Sequence, residues 1–131
     1  MKYMLLMNAT PAGLASFGSM PKEDFKAHVE FMGKLNEDLR ATGELVDAIG
    51  LGGPHEAKQV RAREGGGLPV VTDGPFGEGK EFLAGFWILD VRDTERAVEI
   101  AARISTAPGR GGVPLNFPVE VRPVPNQEIP L

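Results

Sequence analysis

The stretch that decides the fold is Phe82-Leu83-Ala84-Gly85-Phe86-Trp87-Ile88-Leu89. Every residue in it is apolar or small, so both alternate sets of side chains are apolar, as is typical of a strand covered on both faces. The residues from Tyr3 to Met7 have the same two-sided character. We therefore predict a strand at each place, and the later strand extends from Phe82 to Val91.

Helical periodicity occurs in two segments of the chain. The first helix ends at Gly43, because glycine suits the position after the last helical turn. The second is capped by Asp93 or Thr94 and ends at Pro108-Gly109. The small, polar, glycine-containing residues from Asn8 to Ser19 predict a loop. The apolar residues with helical spacing are Phe25, Val29, Met32, Leu35 and Leu39 in the first helix, and Ala97, Val98, Ala101, Ala102 and Ile104 in the second.

Three further elements complete the sheet. Residues Glu44 to Leu51 predict a strand, and Lys58–Arg63 with Leu68–Thr72 predict a hairpin across a run of three glycines. Residues Val119 to Val124 predict a last strand, in which Pro123 suits an edge or an end. The order is β-α-β-β-β-α-β, with the strand count uncertain by one. Two helices against a mostly antiparallel sheet predict an α+β, ferredoxin-like protomer.

The two helices can cover only one face of this sheet, whereas the strands around Met4 and Phe86 are apolar on both faces. A second copy of the chain is the simplest cover for the other face, so we predict a homodimer whose sheets pack face to face. The alternative is that the long loops fold over that face.

Composition limits the function classes. The chain has 131 residues, the size of one domain, which we place at 1–124 with a tail at 125–131. It has no cysteine, which excludes disulfides, thiolate catalysis and cysteine-bound metals and fits a reducing, cytoplasmic location. The net charge of −4 disfavours nucleic-acid binding. No apolar run approaches the ~20 residues that a membrane span needs, so no membrane association is predicted.

The segment Asp73-Gly74-Pro75-Phe76-Gly77-Glu78-Gly79-Lys80-Glu81 resembles the signature of the YCII-related family, in the branch named after Asp-Gly-Pro-Phe-Ala-Glu-Thr-Lys-Glu. Gly77 and Gly79 replace the alanine and the threonine of that pattern. The start of the chain, the end of the first helix, Gly85-Phe86-Trp87 and the close Val119-Glu120-Val121-Arg122-Pro123 are similar as well. The resemblance implies a dimeric α+β barrel built from ferredoxin-like protomers.

The resemblance also implies two classes of function. Many members lie beside extracytoplasmic-function sigma factors, which suggests a regulatory or stress role. Related barrels host small-molecule enzymes, including dehydrochlorinase-like and monooxygenase-like activities, and a founding branch carries a His–Asp acid/base pair. The helix position of that histidine falls near Met32 here, and His28 lies one turn earlier on the same helical face. The pair is therefore not carried over residue by residue.

Asp73 is the first candidate site residue. Its carboxylate could act as a base or bind a polar ligand. Alternatively, an aspartate before Gly-Pro fixes the turn through its own backbone. His28 is the second catalytic candidate, because histidine titrates near neutral pH, and its alternative role is packing on a helix. These two residues are the candidate catalytic set.

Four charged residues are candidates for ligand binding. Glu78, Lys80 and Glu81 follow the turn. If Lys80 is buried between the carboxylates, the group suits an anion or acid/base site. If it is not buried, the group is a solvated surface pair. Arg110 lies in a glycine-rich loop and could contact an anion.

No metal or cofactor is predicted. His28 and His55 are 27 residues apart without a ligand pattern, which does not indicate a metal site. The glycine runs fit no phosphate or dinucleotide motif, which does not indicate a nucleotide cofactor.

Two function classes follow. The first is a small-molecule-binding or regulatory dimer with a functional link to a sigma factor. The second is an enzyme for a small metabolite, an acid/base lyase, isomerase or dehydrochlorinase-like activity that uses the carboxylate of Asp73. A purely structural dimer is a third class.

Overall fold

The structure, a computed structural model, describes residues 1–76 and 80–126. Its regular elements, in chain order, are β1 (Lys2–Ala9), α1 (Pro11–Gly18), α2 (Lys22–Ala41), β2 (Leu45–Gly50), β3 (Lys58–Arg61), β4 (Val70–Asp73), β5 (Phe82–Asp90), α3 (Thr94–Ser105) and β6 (Val119–Pro123). Short 3-10 turns lie at Pro54–Glu56 and Arg110–Gly112.

The main sheet has four antiparallel strands in the order β2-β5-β1-β6. Helices α2 and α3 pack on one face of it, so the protomer is an α+β, ferredoxin-like fold, as predicted. The two strands with two-sided apolar sequences occupy the centre, and the predicted edge position of Pro123 is confirmed, because β6 is an outer strand. Within the described residues the sheet is open and does not close into a barrel.

The core lies between the sheet and the two long helices. From β1 and β5 it takes Tyr3, Leu5, Trp87 and Leu89, from α2 it takes Leu35 and Leu39, and from α3 it takes Ala97, Ile100, Ala101 and Ile104. Full burial of a large apolar side chain contributes about 1.5–3 kcal/mol each. The two polar atoms that the core aromatics carry are satisfied: the indole of Trp87 donates to Asn36 Oδ1 at 3.1 Å, and the hydroxyl of Tyr3 lies 2.6 Å from that of Thr94.

The end of α2 and the start of α3 confirm the predicted caps, whereas α3 ends at Ser105, before the predicted Pro108-Gly109. After α2, Gly43 has φ of 75°, and its N–H bonds the carbonyl of Arg40 while the N–H of Glu44 bonds that of Leu39. This pair of hydrogen bonds is a Schellman motif, which requires the left-handed conformation that glycine adopts easily. At the start of α3, the side chain of Asp93 accepts from Arg96 N at 2.9 Å.

The predicted loop from Asn8 to Ser19 is wrong. Strand β1 continues to Ala9, and α1 follows from Pro11 to Gly18. The hydroxyl of Thr10 caps the helix by accepting from Gly13 N at 3.0 Å, and Pro11 occupies the first turn, where its missing N–H costs nothing. When this helix and both strands of the hairpin are counted, the described chain has one helix and one strand more than the predicted order.

The second face of the main sheet is apolar in its middle. Strand register places Ile88 beside Met4, and Phe86 beside Leu6, on the side away from the helices. All four side chains are partly exposed, and Ile49 at the β2 edge is exposed next to them. The two-sided apolar character predicted for the central strands is therefore confirmed.

Strands β3 and β4 form the predicted hairpin as a separate two-stranded sheet. The strands are shorter than predicted, and the turn between them holds Gly65, Gly66 and Gly67, all with positive φ. Every residue of the hairpin is exposed. We call residues 58–73 the arm, and the rest of the described chain the body.

None of the helices in the part of the chain that the structure describes has the length and apolarity that crossing a membrane requires.

Candidate functional site

The Asp-Gly-Pro-Phe turn joins the arm to the body. The N–H of Gly74 donates to the carbonyl of Ala57 at 2.8 Å, and the Gly74–Pro75 peptide bond is cis. A Cβ at position 74 would lie 2.1 Å from the carbonyl oxygen of Pro54, closer than any contact allows. The glycine of the motif is therefore required for a close approach between the turn and residues 54–57.

Asp73 ends β4 at the base of the arm, directly opposite Lys58 of β3. The Lys58 ammonium and the Asp73 carboxylate form an ion pair, and the aspartate side chain is 75% exposed. A carboxylate in this position is solvated and already paired. The side-chain contact seen for Asp73 is therefore an ion pair across the base of the arm, which differs from the bond to its own backbone that the turn interpretation predicts.

An open cleft of about 400 Å³ lies beside the turn on the body. Phe76 of the motif and Phe82 at the start of β5 form apolar walls, and Glu56 contributes a carboxylate. The described residues that line it are Leu51, Gly52, Gly53, Pro54, Glu56, Ala57, Phe76, Phe82 and Leu83. A concave, mostly apolar lining with few polar groups is typical of small-molecule sites.

His28 lies on α2 and is partly buried. Its Nδ1 lies 3.0 Å from the carbonyl oxygen of Pro108, and its ring meets the ring of Phe17 edge to face at 4.8 Å between centroids. Because a carbonyl oxygen only accepts, Nδ1 must carry the hydrogen. His28 therefore ties α2 to α1 and to the loop after α3, which supports its packing role.

Arg110 lies in the glycine-rich loop after α3. Its guanidinium donates to Ser19 Oγ at 2.7 Å and to the carbonyl of Ser16 at 3.3 Å, while the neighbouring Gly111 N donates to Asp24 at 3.0 Å. These contacts fasten the loop to α1 and to the first turn of α2. Arg110 has a structural role in this arrangement.

Lys80 and Glu81 are both exposed, just before β5. Glu78 lies outside the described residues. The structure therefore brings only the turn, the cleft and the base of the arm together, while His28 and Arg110 belong to the contacts around α1.

Among the described residues, a strongly perturbed ionisable group, Glu44, lies outside the motif. The Arg96 guanidinium donates two hydrogen bonds of 2.8 Å to Glu44, and this lowers the pKa of Glu44 to about 2. Burial opposes the effect, and a hydrogen bond from the hydroxyl of Thr42 reinforces it. This ion pair joins the residue before β2 to α3, so it stabilises the contact between these two elements.

Within the described ranges, no group of three or more His, Asp or Glu side chains is arranged to hold a metal ion. Sequence reasoning missed the cleft itself, because its walls come from residues 51–57 and from Phe76 and Phe82. The phenylalanine inside the motif was a signal for it, since the residues that set turn geometry are Gly, Pro, Asn, Asp and Ser rather than aromatic ones.

Two comparisons with known proteins show which family this chain resembles, and neither of them names an activity. The model of the YCII-related domain matches residues 1–114. An uncharacterized protein of Rhizobium meliloti is 38% identical over 63 residues, which are 47% of this chain and 46% of that protein. The matched stretch thus spans about half the length of this curated relative, whose name states no function.

Proposed function

Because the chain belongs to the YCII-related family, which its match over residues 1–114 shows, we propose that it is a homodimer that binds a small, largely apolar molecule. The binding site is the cleft beside the Asp-Gly-Pro-Phe turn. The observation that carries this proposal is the placement of Phe76, inside the motif, against Phe82 and residues 51–57 around one concavity.

The chemistry of the motif favours binding over catalysis. A general base must reach the proton that it abstracts, so it has to stand at the ligand site. Asp73 is exposed and paired with Lys58, and the described residues that line the cleft do not include it. The enzyme hypothesis, with Asp73 and His28 as acid/base groups, is the second candidate and has less support from these contacts.

The second face of the sheet supports the homodimer. Met4, Leu6, Phe86 and Ile88 form a continuous apolar surface that the helices do not cover. Exposed apolar surfaces of this kind mark interaction sites, and a two-fold axis lets one surface cover its own copy. Sedimentation equilibrium tests this directly: we expect a dimer at micromolar concentration, and a monomer at every concentration would contradict it.

Ligand binding is tested by thermal unfolding against a panel of small metabolites. A ligand at a hundred times its Kd adds ~2.7 kcal/mol of stability, which is a readily measured shift. We expect Phe76→Ala to abolish the shift. The matched control is Phe25→Ala, because Phe25 is another partly exposed phenylalanine, on α2, and does not line the cleft.

A third variant separates the two candidate functions. Asp73→Asn removes the motif carboxylate and leaves the lining of the cleft unchanged. If the cleft is a binding site, this variant keeps the ligand shift. If the ligand stabilises the wild type and Phe76→Ala equally but not Asp73→Asn, the carboxylate is the site, and turnover assays on that ligand follow.

A regulatory role linked to an extracytoplasmic-function sigma factor is the family-based form of this proposal. It rests on the resemblance of the motif, and it predicts a sigma-factor gene beside this one and co-purification of the two proteins. A neighbouring catabolic operon would instead favour the enzyme.

A further inference from the structure

The arm is exposed over its whole length and on both faces. A two-stranded hairpin is marginally stable in water when nothing packs against it. The body holds the arm at its base, through the hydrogen bond from Gly74 to Ala57 and the close contact of Gly74 with Pro54. An ordered hairpin with this placement has an unsatisfied packing surface.

That surface is partly apolar. Val60 and Val71 are direct cross-strand partners, so they form a pair on one side of the arm, and both are exposed. Gln59, Arg61, Val70 and Thr72 lie on the other side, and these four residues together with Val60 line an open groove of about 490 Å³ along the strands. Cross-strand valine pairs stabilise a sheet through burial, which the body does not provide here.

The charge of the arm indicates what kind of surface covers it. Its three cations, Lys58, Arg61 and Arg63, and its two carboxylates, Glu64 and Asp73, give a net charge of +1. The whole chain carries −4, so the remainder of the chain carries −5. A weakly basic arm is electrostatically complementary to the acidic remainder of a second copy.

The area of the sheet gives an independent argument for the same partner. Four strands spaced ~4.8 Å apart and about six residues long present a face of roughly 20 by 20 Å, or about 400 Å² in projection. A stable, specific interface buries about 800 Å² on each partner. Measured as flat area, the sheet face is about half of this value. The paired strands of the arm have four residues each and extend it by about 13 Å, with the glycine turn beyond them, so the arm is a further surface for the interface.

We propose that the arm clasps the second subunit of the homodimer, with the Val60–Val71 pair buried against the partner. This inference rests on the homodimer of the proposed function and adds to it a specific role for residues 58–73. In this arrangement the Asp-Gly-Pro-Phe turn lies at the base of an inter-subunit contact. The turn would therefore connect the cleft of one subunit to the contact that its arm makes with the other subunit.

Chemical labelling tests the burial of the arm, because the chain has no cysteine and a single one can be introduced anywhere. The probe variant is Val60→Cys, and the matched control is Val98→Cys on the outer face of α3. The two valines are 66% and 52% exposed in the single chain. We expect maleimide to label the control at least tenfold faster in the dimer, although Val60 is the more exposed of the two in one protomer.

A second measurement covers the case in which labelling is ambiguous. Val60→Asp should weaken dimerisation at least tenfold in sedimentation equilibrium, whereas Val98→Asp leaves it unchanged, with circular dichroism as the check that both variants fold. Suppose that the wild type dimerises, but the two cysteine variants label at equal rates or the two aspartate variants dimerise with equal constants. Either result would overturn the clasp and leave the homodimer standing. A monomeric wild type would overturn both, while the ligand shift of Phe76→Ala tests the cleft separately.

Discussion

The body and the arm are built from the same kind of strand residues, and they differ in what covers them. In β5, Trp87 and Leu89 pack under two helices, and Leu89 is completely buried. In the arm, Val60, Val70 and Val71 are β-branched and equally suited to a sheet, yet all three are exposed. Strand-forming residues therefore occur in both regions, but only the body buries one face of its strands within one chain.

The difference shows where the information for each region lies. The body has helices whose apolar stripes match one face of the sheet, so a single protomer covers that face. The arm has one apolar cross-strand pair, Val60 and Val71, and both valines are exposed in a single protomer. The Asp-Gly-Pro-Phe turn lies between these two regions, and four predictions measure how much the regions differ.

The largest difference in the free energy of unfolding is expected when a leucine is replaced by alanine in the body and, separately, in the arm. Leu89→Ala removes a fully buried side chain and should lower the free energy of unfolding by about 2–5 kcal/mol, because it leaves a cavity in the core. Leu68→Ala in the arm should change it by less than ~0.5 kcal/mol, because Leu68 is 82% exposed. Urea unfolding at one protein concentration measures both. Equal losses would show that the arm is as integral to the protomer as the body.

The second effect concerns the turn between the regions. Gly74→Ala adds a Cβ that would meet the carbonyl of Pro54, so the turn must move away from residues 54–57. We expect a loss of about 1–3 kcal/mol, as for other overpacked sites. The control is Gly33→Ala in α2, where a Cβ meets nothing within 4 Å and alanine should stabilise the helix by about 0.5–1 kcal/mol. A neutral Gly74→Ala would mean that the arm is not anchored by this contact.

The third effect uses the ion pair inside the body. The pKa of Glu44 is about 2 in the folded chain, against 4.5 for a free glutamate, so the folded state favours the carboxylate. This stabilisation is fully present above pH 4.5 and is lost as the pH falls toward 2. The pair is mostly buried, with Glu44 15% exposed, so after allowance for screening we expect Glu44→Gln to cost about 1–2 kcal/mol at pH 7. The difference between wild type and variant should shrink as unfolding is repeated from pH 5 down to pH 2.5, and a constant difference would argue against the ion pair as its source.

Most of the fold could be predicted from the sequence because its signals are local and redundant. The 20 residues of α2 combine helical periodicity with the glycine stop at Gly43, and β5 is apolar throughout. Helix α1 was missed because it has only 8 residues, most of them small, and no buried side chain. Its local signal was Thr10, a helix cap, followed by Pro11, a proline suited to the first helical turn. The glycines of the same segment favour a loop instead, and they outweighed this signal.

The candidate site was less predictable, because its geometry depends on contacts between distant parts of the chain. The motif identified the family, but nothing in it indicates that Gly74 packs on Pro54 or that Phe76 faces residues 51–57. His28 has the chemistry of a base, and its hydrogen bond to Pro108, 80 residues away, is what gives it a packing role. The type of a residue could be assessed from the sequence, whereas its partners could not.

The smallest effect is expected at the residue that the motif makes most conspicuous. Asp73→Asn breaks the ion pair with Lys58, but exposed pairs contribute about 0–1 kcal/mol, and asparagine keeps the hydrogen-bonding capacity that a turn residue uses. We expect the free energy of unfolding at pH 7 to change by less than ~0.5 kcal/mol, well below the change for Glu44→Gln. Raising the salt concentration should remove what difference remains, since solvated charges are screened. A loss of 2 kcal/mol or more would instead mean that a neighbouring surface buries Asp73, and because one protomer leaves this carboxylate exposed, the second subunit would be the first place to look for that surface.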